Sequence, residues 1–145
     1  MHGNEPTASL LGYAGLAPFV AFSLGCWVPL PFVTDALSVL IAYAAIILSF
    51  MGAIHWGIAM SNTDKGHSYH FIISVIPALA AWVALIMPVI MGLATLIVGF
   101  IALYLYDAAV AEPQGLPGWY IPMRRNLTIV VTLCLAVALM SVVLP

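Results

Sequence analysis

The sequence is poor in charge. Only 6% of its 145 residues are Asp, Glu, Lys or Arg, whereas about a quarter of the residues in a typical soluble domain are charged. Hydrophobic residues make up 65% of the chain, and the mean hydropathy is +1.18. This balance excludes an ordinary soluble domain and predicts an integral membrane protein.

Basic residues are even scarcer than acidic ones. Lys65, Arg124 and Arg125 are the only three, against five acidic side chains. Such a chain offers neither a basic surface for nucleic acid nor a polybasic segment for anionic headgroups. We therefore expect its partners to be membrane lipids and other integral membrane subunits, and not nucleic acid.

The sequence also has little of what catalysis or metal binding needs. Its two cysteines, Cys26 and Cys134, both lie in apolar runs without further ligands nearby, which is typical of small hydrophobic residues. Nucleophile triads, phosphate-binding glycine loops and paired catalytic carboxylates are missing. We expect a protein that is not an enzyme, with no metal and no obligatory cofactor. A lipid, quinone or porphyrin is the kind of molecule that it could hold.

Long apolar runs divide the chain into membrane spans. About 20 apolar residues in a helix cross a hydrocarbon core of about 30 Å. The runs predict an all-α bundle of five transmembrane helices in a single membrane domain, residues 1–145, with helices at about 8–28, 36–60, 69–87, 89–111 and 123–144. The polar stretch 61–68 and the stretch 112–122, rich in proline and glycine, predict loops.

The few basic residues predict the orientation. All three would lie on the membrane face that also carries the N-terminus, in the 61–68 loop and at the start of the fifth helix. The positive-inside rule then predicts a cytoplasmic N-terminus and a C-terminus outside. The first residues, MHGNEP, lack the basic region of a secretory signal and the composition of an organellar transit peptide, so we expect the first helix to direct insertion.

Small residues and prolines predict how the helices pack. In the second helix, small residues recur every four positions and suggest an interface between helices; these are Ala45, Ser49, Ala53 and Gly57. Pro18 and Pro77 lie inside the first and third helices, where each removes a backbone hydrogen bond. We expect a kink at each proline, with room for a cavity beside it.

Polar side chains converge on one depth of the membrane. His55 and His70 are nearly equidistant from the middle of the 61–68 loop, and Asp107 and the two arginines flank the next loop in the same way. Ionisable groups within a membrane seldom face lipid. We expect Asp107 to pair with Arg124 or Arg125, and the other arginine to reach the headgroups. His55 is predicted to donate to a backbone carbonyl or a hydroxyl of a neighbouring helix.

Aromatic residues accompany this polar level. Trp56 should point about 100° away from His55, towards the membrane interface. A haem or metal held by both histidines is the competing interpretation, but His70 is close to the loop and no thiolate or carboxylate has ligand spacing. The predicted structural cluster, which also supplies the candidate ligand contacts, consists of His55, Trp56, His70, Asp107, Trp119, Tyr120, Arg124 and Arg125.

Five short motifs resemble a known family. They are GYAGLAPF at 12–19, GAIHWG at 52–57, SVIPALAAW at 74–82, LYD at 105–107 and PGWYIPMRRNLT at 117–128. Together and in this order they resemble a family of small bacterial and mitochondrial multi-span membrane proteins of unknown function that includes transmembrane protein 69. The resemblance implies a helical membrane domain and, with no transit peptide evident, a multi-pass protein of the bacterial inner membrane. It implies no activity.

Two functions agree with these features. The preferred hypothesis is an accessory or assembly subunit of a larger membrane complex, respiratory or photosynthetic, because very short loops leave little to act on soluble substrates. The alternative is a binder or carrier of a porphyrin, quinone or lipid. Its site would lie between the kinked first and third helices, near Trp82 and the level of His55.

Overall fold

The computed structural model describes residues 3–61 and 68–144, and these residues form a helical bundle. The predicted polar loop at 61–68, with Lys65, lies largely outside the described residues. Six helices are present in the described ranges: α1 (Glu5–Ala14), α2 (Ala17–Gly25), α3 (Ala36–Ser61), α4 (Tyr69–Ile86), α5 (Val89–Val110) and α6 (Tyr120–Val143). With α1 and α2 taken as one span, five are long and apolar enough to cross a membrane, which confirms the predicted all-α, five-helix fold.

The first span is broken, where the sequence predicts one kinked helix over residues 8–28. α1 begins earlier, at Glu5, and the span ends at Gly25. Pro18 lies in the first turn of α2, where its missing amide hydrogen costs no intrahelical bond. The Tyr43 hydroxyl on α3 donates to the Gly15 carbonyl oxygen at 2.8 Å. This hydrogen bond attaches the break to the neighbouring helix.

Asp35 caps the N-terminus of α3. Its carboxylate accepts from the Ser38 amide at 3.1 Å and from the Ser38 hydroxyl at 2.5 Å. These bonds lower the pKa of the exposed Asp35 carboxyl. The turn before the cap places Phe32 at a φ of +83°, a conformation that favours glycine, and leaves its ring exposed.

α3 and α4 pack closely through a single glycine. A Cβ at Gly52 would lie 2.8 Å from two carbons of the Pro77 ring and 3.1 Å from the Ser74 carbonyl oxygen. Pro77 is buried there, within an α4 that continues through it. The Pro77 ring therefore fills the space that Gly52 leaves between α3 and α4.

The small-residue stripe predicted for α3 is only partly an interface. Ala45 is buried in the core, but Ala53 and Gly57 are exposed. Positions four residues apart turn by about 40° around a helix at each step, so such a stripe drifts away from a straight contact. In the second half of α3, the small residue that packs against α4 is therefore Gly52, and not Ala53 or Gly57.

α5 returns along α4 after a very short connection. A Cβ at Gly92 would lie 2.5 Å from the Ala84 carbonyl oxygen, so only glycine permits this approach after Met87 and Pro88. The bundle core consists mainly of leucine and alanine, with an edge-to-face pair of Phe19 and Phe100. Its fully buried leucines are Leu40, Leu48, Leu93, Leu96 and Leu135.

Candidate functional site

Three ionisable side chains from three helices meet inside the bundle. Asp107 on α5 and His55 on α3 are each 1% exposed, and Arg124 on α6 is 3% exposed. His55 Nε2 lies 2.5 Å from Asp107 Oδ1, and Arg124 Nε donates to Asp107 Oδ2 at 2.8 Å. We call these three residues the buried triad. One carboxylate thus connects α3, α5 and α6.

The positions of the triad along its helices explain the meeting. Asp107 lies in the last turn of α5, Arg124 in the second turn of α6, and His55 in the second-last turn of α3. Each side chain therefore sits at a similar distance from the same end of the bundle. An ionised group in the hydrocarbon region costs about 2.5–3.5 kcal/mol on insertion scales, which makes mutual pairing the favourable arrangement.

One contact of the triad differs from the sequence-based expectation, and a second decides between two predicted alternatives. His55 contacts a carboxylate, so the predicted partner, a backbone carbonyl or hydroxyl, was wrong. A carboxylate has two acceptor oxygens, and the arginine occupies only one of them. Of the two candidate arginines, Arg124 pairs with Asp107, while the next residue, Arg125, is exposed on the outside of α6.

The two nitrogens of the His55 ring have different surroundings. Nε2 contacts the Asp107 carboxylate, whereas Nδ1 is buried and has no hydrogen-bond partner among the described residues. Asp107 and Arg124 carry opposite charges and form a buried ion pair.

His70 lies beside the triad and does not join it directly. Its Nδ1 is 3.0 Å from the Tyr106 hydroxyl and 3.4 Å from Gln114 Nε2. The Tyr106 ring packs edge-on against His55, with 4.8 Å between centroids. Tyr106 therefore stands between the two histidines. Within the described parts of the chain, no group of three His, Cys, Asp or Glu side chains has metal-binding geometry.

The predicted aromatic residues occupy two places. Trp56 lies on the outer surface, where its ring meets Phe71 of α4 edge-to-face at 4.9 Å. Trp119 and Tyr120 pack together at the start of α6, with 6.3 Å between ring centroids. Both are half-buried, and both line a cavity in the bundle.

This cavity, of about 350 Å³, lies where the first span is broken. It is bounded by α1, α2, α3, α5 and α6, so it is on the opposite side of α3 from α4. Trp82, near which the sequence predicts a ligand site, is 60% exposed on α4 and does not line this cavity, so a site at Trp82 stays a separate prediction. The wall is mostly apolar and includes Leu11, Leu16, Phe19, Met51, Ile54, Phe100, Met123 and Val131.

Two polar side chains interrupt the apolar wall. Arg124 and Thr128 both line the cavity, and they are one helical turn apart on α6. Arg124 Nη2 and Thr128 Oγ1 are buried and unpartnered among residues 3–61 and 68–144, and the Tyr120 hydroxyl is the neighbouring polar group that interacts with the Arg124 guanidinium. Arg124 thus joins the triad, through Nε, to the cavity.

Thr128 is not among the site residues predicted from the sequence. A hydroxyl in a membrane helix commonly bonds to its own backbone, as Thr132 does with the Thr128 carbonyl at 2.7 Å. The available signal was the spacing of four residues from Arg124, which places both side chains on one face.

Comparisons with known proteins agree on one family. The family model described as "Protein of unknown function (DUF3429)" matches residues 4–140. Transmembrane protein 69 of Xenopus tropicalis is 35% identical over 150 aligned positions, which cover 92% of this chain and 54% of that protein. The chain therefore spans about half the length of this curated relative. No solved structure matches the chain significantly.

Proposed function

The chain belongs to the DUF3429 family of unknown function, and from this premise we propose that it binds a small apolar molecule inside its membrane-spanning bundle. The observation that carries the proposal is the cavity of about 350 Å³ at the break in the first span. Ligand pockets typically measure about 300–1,000 Å³ and have predominantly hydrophobic walls with few polar groups. The cavity has this size and this lining.

The position of the cavity suits a ligand that arrives from the bilayer. Leu11 and Phe50 line it and are also among the exposed apolar residues on the outside of the bundle. In a membrane protein such exposed apolar side chains face lipid. An apolar molecule could therefore enter from the hydrocarbon region without crossing water.

The proposal can be tested by filling the cavity. Gly12 lines it, and a Cβ there would lie 3.4 Å from Leu127 Cδ1 and 3.5 Å from Met123 Sδ. A Gly12→Leu side chain would occupy part of the space. Gly57→Leu is the matched control, because a Cβ at Gly57 meets nothing within 4 Å. Both tagged proteins would be extracted with a gentle detergent, and the co-eluting molecules identified by mass spectrometry.

We expect wild type and Gly57→Leu to carry the same small molecule and Gly12→Leu to lose most of it while still folded. Equal recovery from Gly12→Leu, or no specific molecule with any of the three proteins, would contradict the proposal.

In this proposal the protein is a binder and not an enzyme. The buried triad has a structural role, since Asp107 connects three helices and its charge is balanced by Arg124. The residues that would contact the ligand are Trp119, Tyr120, Arg124, Thr128 and the apolar wall.

A second proposal is the accessory or assembly subunit of a respiratory or photosynthetic membrane complex. It is supported by the short α4–α5 connection and by the exposed small side chains of Ala53 and Gly57, which leave a smooth face on α3. The same extraction separates the two proposals. Co-elution of one large complex in fixed proportion supports the subunit, whereas a protein recovered alone with its ligand supports the binder.

For the membrane itself, we propose the bacterial inner membrane, with the N-terminus in the cytoplasm and the C-terminus outside. The support is that Arg125, an exposed cation, lies at the start of α6, at the same side as the N-terminus in a five-span bundle. Alkaline phosphatase fused to the C-terminus should be active, and the same reporter at the N-terminus inactive. The reverse pattern would contradict this orientation.

A further inference from the structure

We propose that the cavity selects a molecule with an uncharged carbonyl oxygen on an apolar body, and that Arg124 and Thr128 bind this oxygen. The inference rests on the proposed ligand-binding function and specifies the class of ligand. Its basis is the pair of unpartnered polar atoms in the wall, Arg124 Nη2 and Thr128 Oγ1, each belonging to a side chain more than nine-tenths buried.

The donors determine which ligand atom fits. An arginine nitrogen can only donate a hydrogen bond, and a threonine hydroxyl can also donate. Because the two residues are one turn apart on the same face of α6, both can donate a hydrogen bond to a single oxygen atom. That oxygen must be an acceptor, such as the carbonyl of a quinone or of an acyl ester. A saturated hydrocarbon would leave both groups unsatisfied, which is costly in an apolar surrounding.

The charge balance of the site favours a ligand whose polar end is uncharged. The Arg124 guanidinium is already compensated by Asp107, whose Oδ2 accepts from Nε at 2.8 Å. His55, the third member of the triad, contacts the same carboxylate through Nε2. A carboxylate ligand would add one uncompensated negative charge beneath the membrane surface, and such charges are expensive there. A carbonyl ligand adds none.

The apolar part of the site agrees with this class. Beyond the two polar residues the wall consists of aliphatic, aromatic and methionine side chains from α1, α2, α3, α5 and α6. The ligand would thus place its carbonyl against α6 and its apolar body towards the break in the first span. Trp119 and Tyr120 lie at the same end as the polar pair and would pack against the head.

The test uses four probe molecules that differ in their polar end group. Purified full-length protein, stripped of bound molecules by detergent washing, would be incubated with methyl laurate, laurate, dodecane or a decyl-substituted benzoquinone. Native mass spectrometry measures how much of each stays bound, with laurate in its ionised form. We expect retention of methyl laurate or the quinone, and much weaker retention of laurate and dodecane. Preference for the ester or for the quinone would tell the two carbonyl sources apart.

Thr128→Val tests the contact, with Thr132→Val as its control. Thr132 is one turn further along α6, does not line the cavity, and bonds to backbone carbonyls of its own helix. Loss of one hydrogen bond should weaken retention of the carbonyl probe about fivefold in Thr128→Val. The control should retain it like wild type. Valine has nearly the shape of threonine, so both variants should fold.

Three results would overturn the inference. One is retention of laurate or dodecane equal to that of the carbonyl probes. Another is equal retention by Thr128→Val and its control, which would mean that water alone satisfies these atoms. These two results would leave the ligand-binding function standing, since the cavity would still be occupied. Retention of none of the probes, with no molecule found in the native extract, would contradict the proposed function as well.

Discussion

The two sides of α3 are packed in different ways. On the α4 side, the buried Pro77 ring lies against Gly52, and no space is left for even one methyl group. On the side of α1, α2 and α6, the broken first span leaves a cavity of about 350 Å³. Both sides contain a proline in a membrane helix, at Pro77 and Pro18. Pro77 lies inside α4 and packs into the space left by Gly52, whereas Pro18 lies in the first turn of α2, directly after the break that the cavity borders.

This difference suggests that the two sides of α3 have different roles. The α3–α4 side, with the short connection into α5, supplies a closely packed support. The other side holds the candidate ligand site, and the buried triad joins the two through Asp107, which binds side chains from α3 and α6. Substitutions on the packed side should change stability, and substitutions around the cavity should mainly change binding.

The largest effect should follow from breaking the junction between the two sides. Asp107→Asn and Arg124→Gln each leave a buried charge without its partner, which costs about 3–5 kcal/mol in comparable pairs. The free energy of unfolding, measured by SDS titration in mixed micelles, should fall by this order in each single variant. The double variant should lose less than the sum, because the two groups interact.

Arg125→Gln is the control for this experiment. Its side chain is exposed and lies next to Arg124 in the chain, so its loss should change the unfolding free energy by less than about 0.5 kcal/mol. Additive losses for Asp107 and Arg124, or an equal loss for Arg125, would argue against the triad as the junction.

An intermediate effect is expected from adding one methyl group to the packed side. In Gly52→Ala the new Cβ would lie 2.8 Å from the Pro77 ring, so α3 and α4 must move apart, at a cost of about 1–3 kcal/mol. Gly57→Ala, one and a half turns later and open to its surroundings, should be neutral or slightly stabilising. The SDS titration measures the unfolding free energy of both variants. An equal change in unfolding free energy for the two variants would contradict close packing of α3 against α4 at Gly52.

The smallest effect should come from loosening the break in the first span. Tyr43→Phe removes the hydroxyl that donates to the Gly15 carbonyl at 2.8 Å, and single hydrogen bonds in membrane proteins average about 0.6 kcal/mol. The unfolding free energy should fall by about this amount, and retention of the bound molecule should fall with it. Tyr13→Phe, whose hydroxyl makes an exposed bond of 3.3 Å to Asn126, should change neither.

Hydropathy and proline positions were sufficient to predict the spans but not how they pack. Five apolar runs of adequate length leave few alternatives to five spans. The start of α6 at Tyr120, earlier than predicted, is explained by Pro122, which is tolerated in the first turn of a helix. Pro18 and Pro77 look alike in the sequence, but Pro18 lies in the first turn of a helix and Pro77 lies inside one.

The candidate site shows the same limit. The depth of His55, Asp107 and the arginines could be read from their distances to the loops. Neighbouring residues on a helix point about 100° apart, so the choice of Arg124 over Arg125 depends on the rotation of α6 against α5. That rotation arises from packing of the whole bundle. The position of Thr128 in the cavity wall depends on the same rotation of α6.

Hydrogen–deuterium exchange would test whether a ligand occupies one side of an otherwise packed bundle. The protein as gently extracted would be compared, peptide by peptide, with protein washed free of bound molecules. We expect washing to speed exchange in α1, α2 and the first half of α6, and to leave α4 unchanged. Identical exchange before and after washing, or a change spread evenly over all helices including α4, would contradict it.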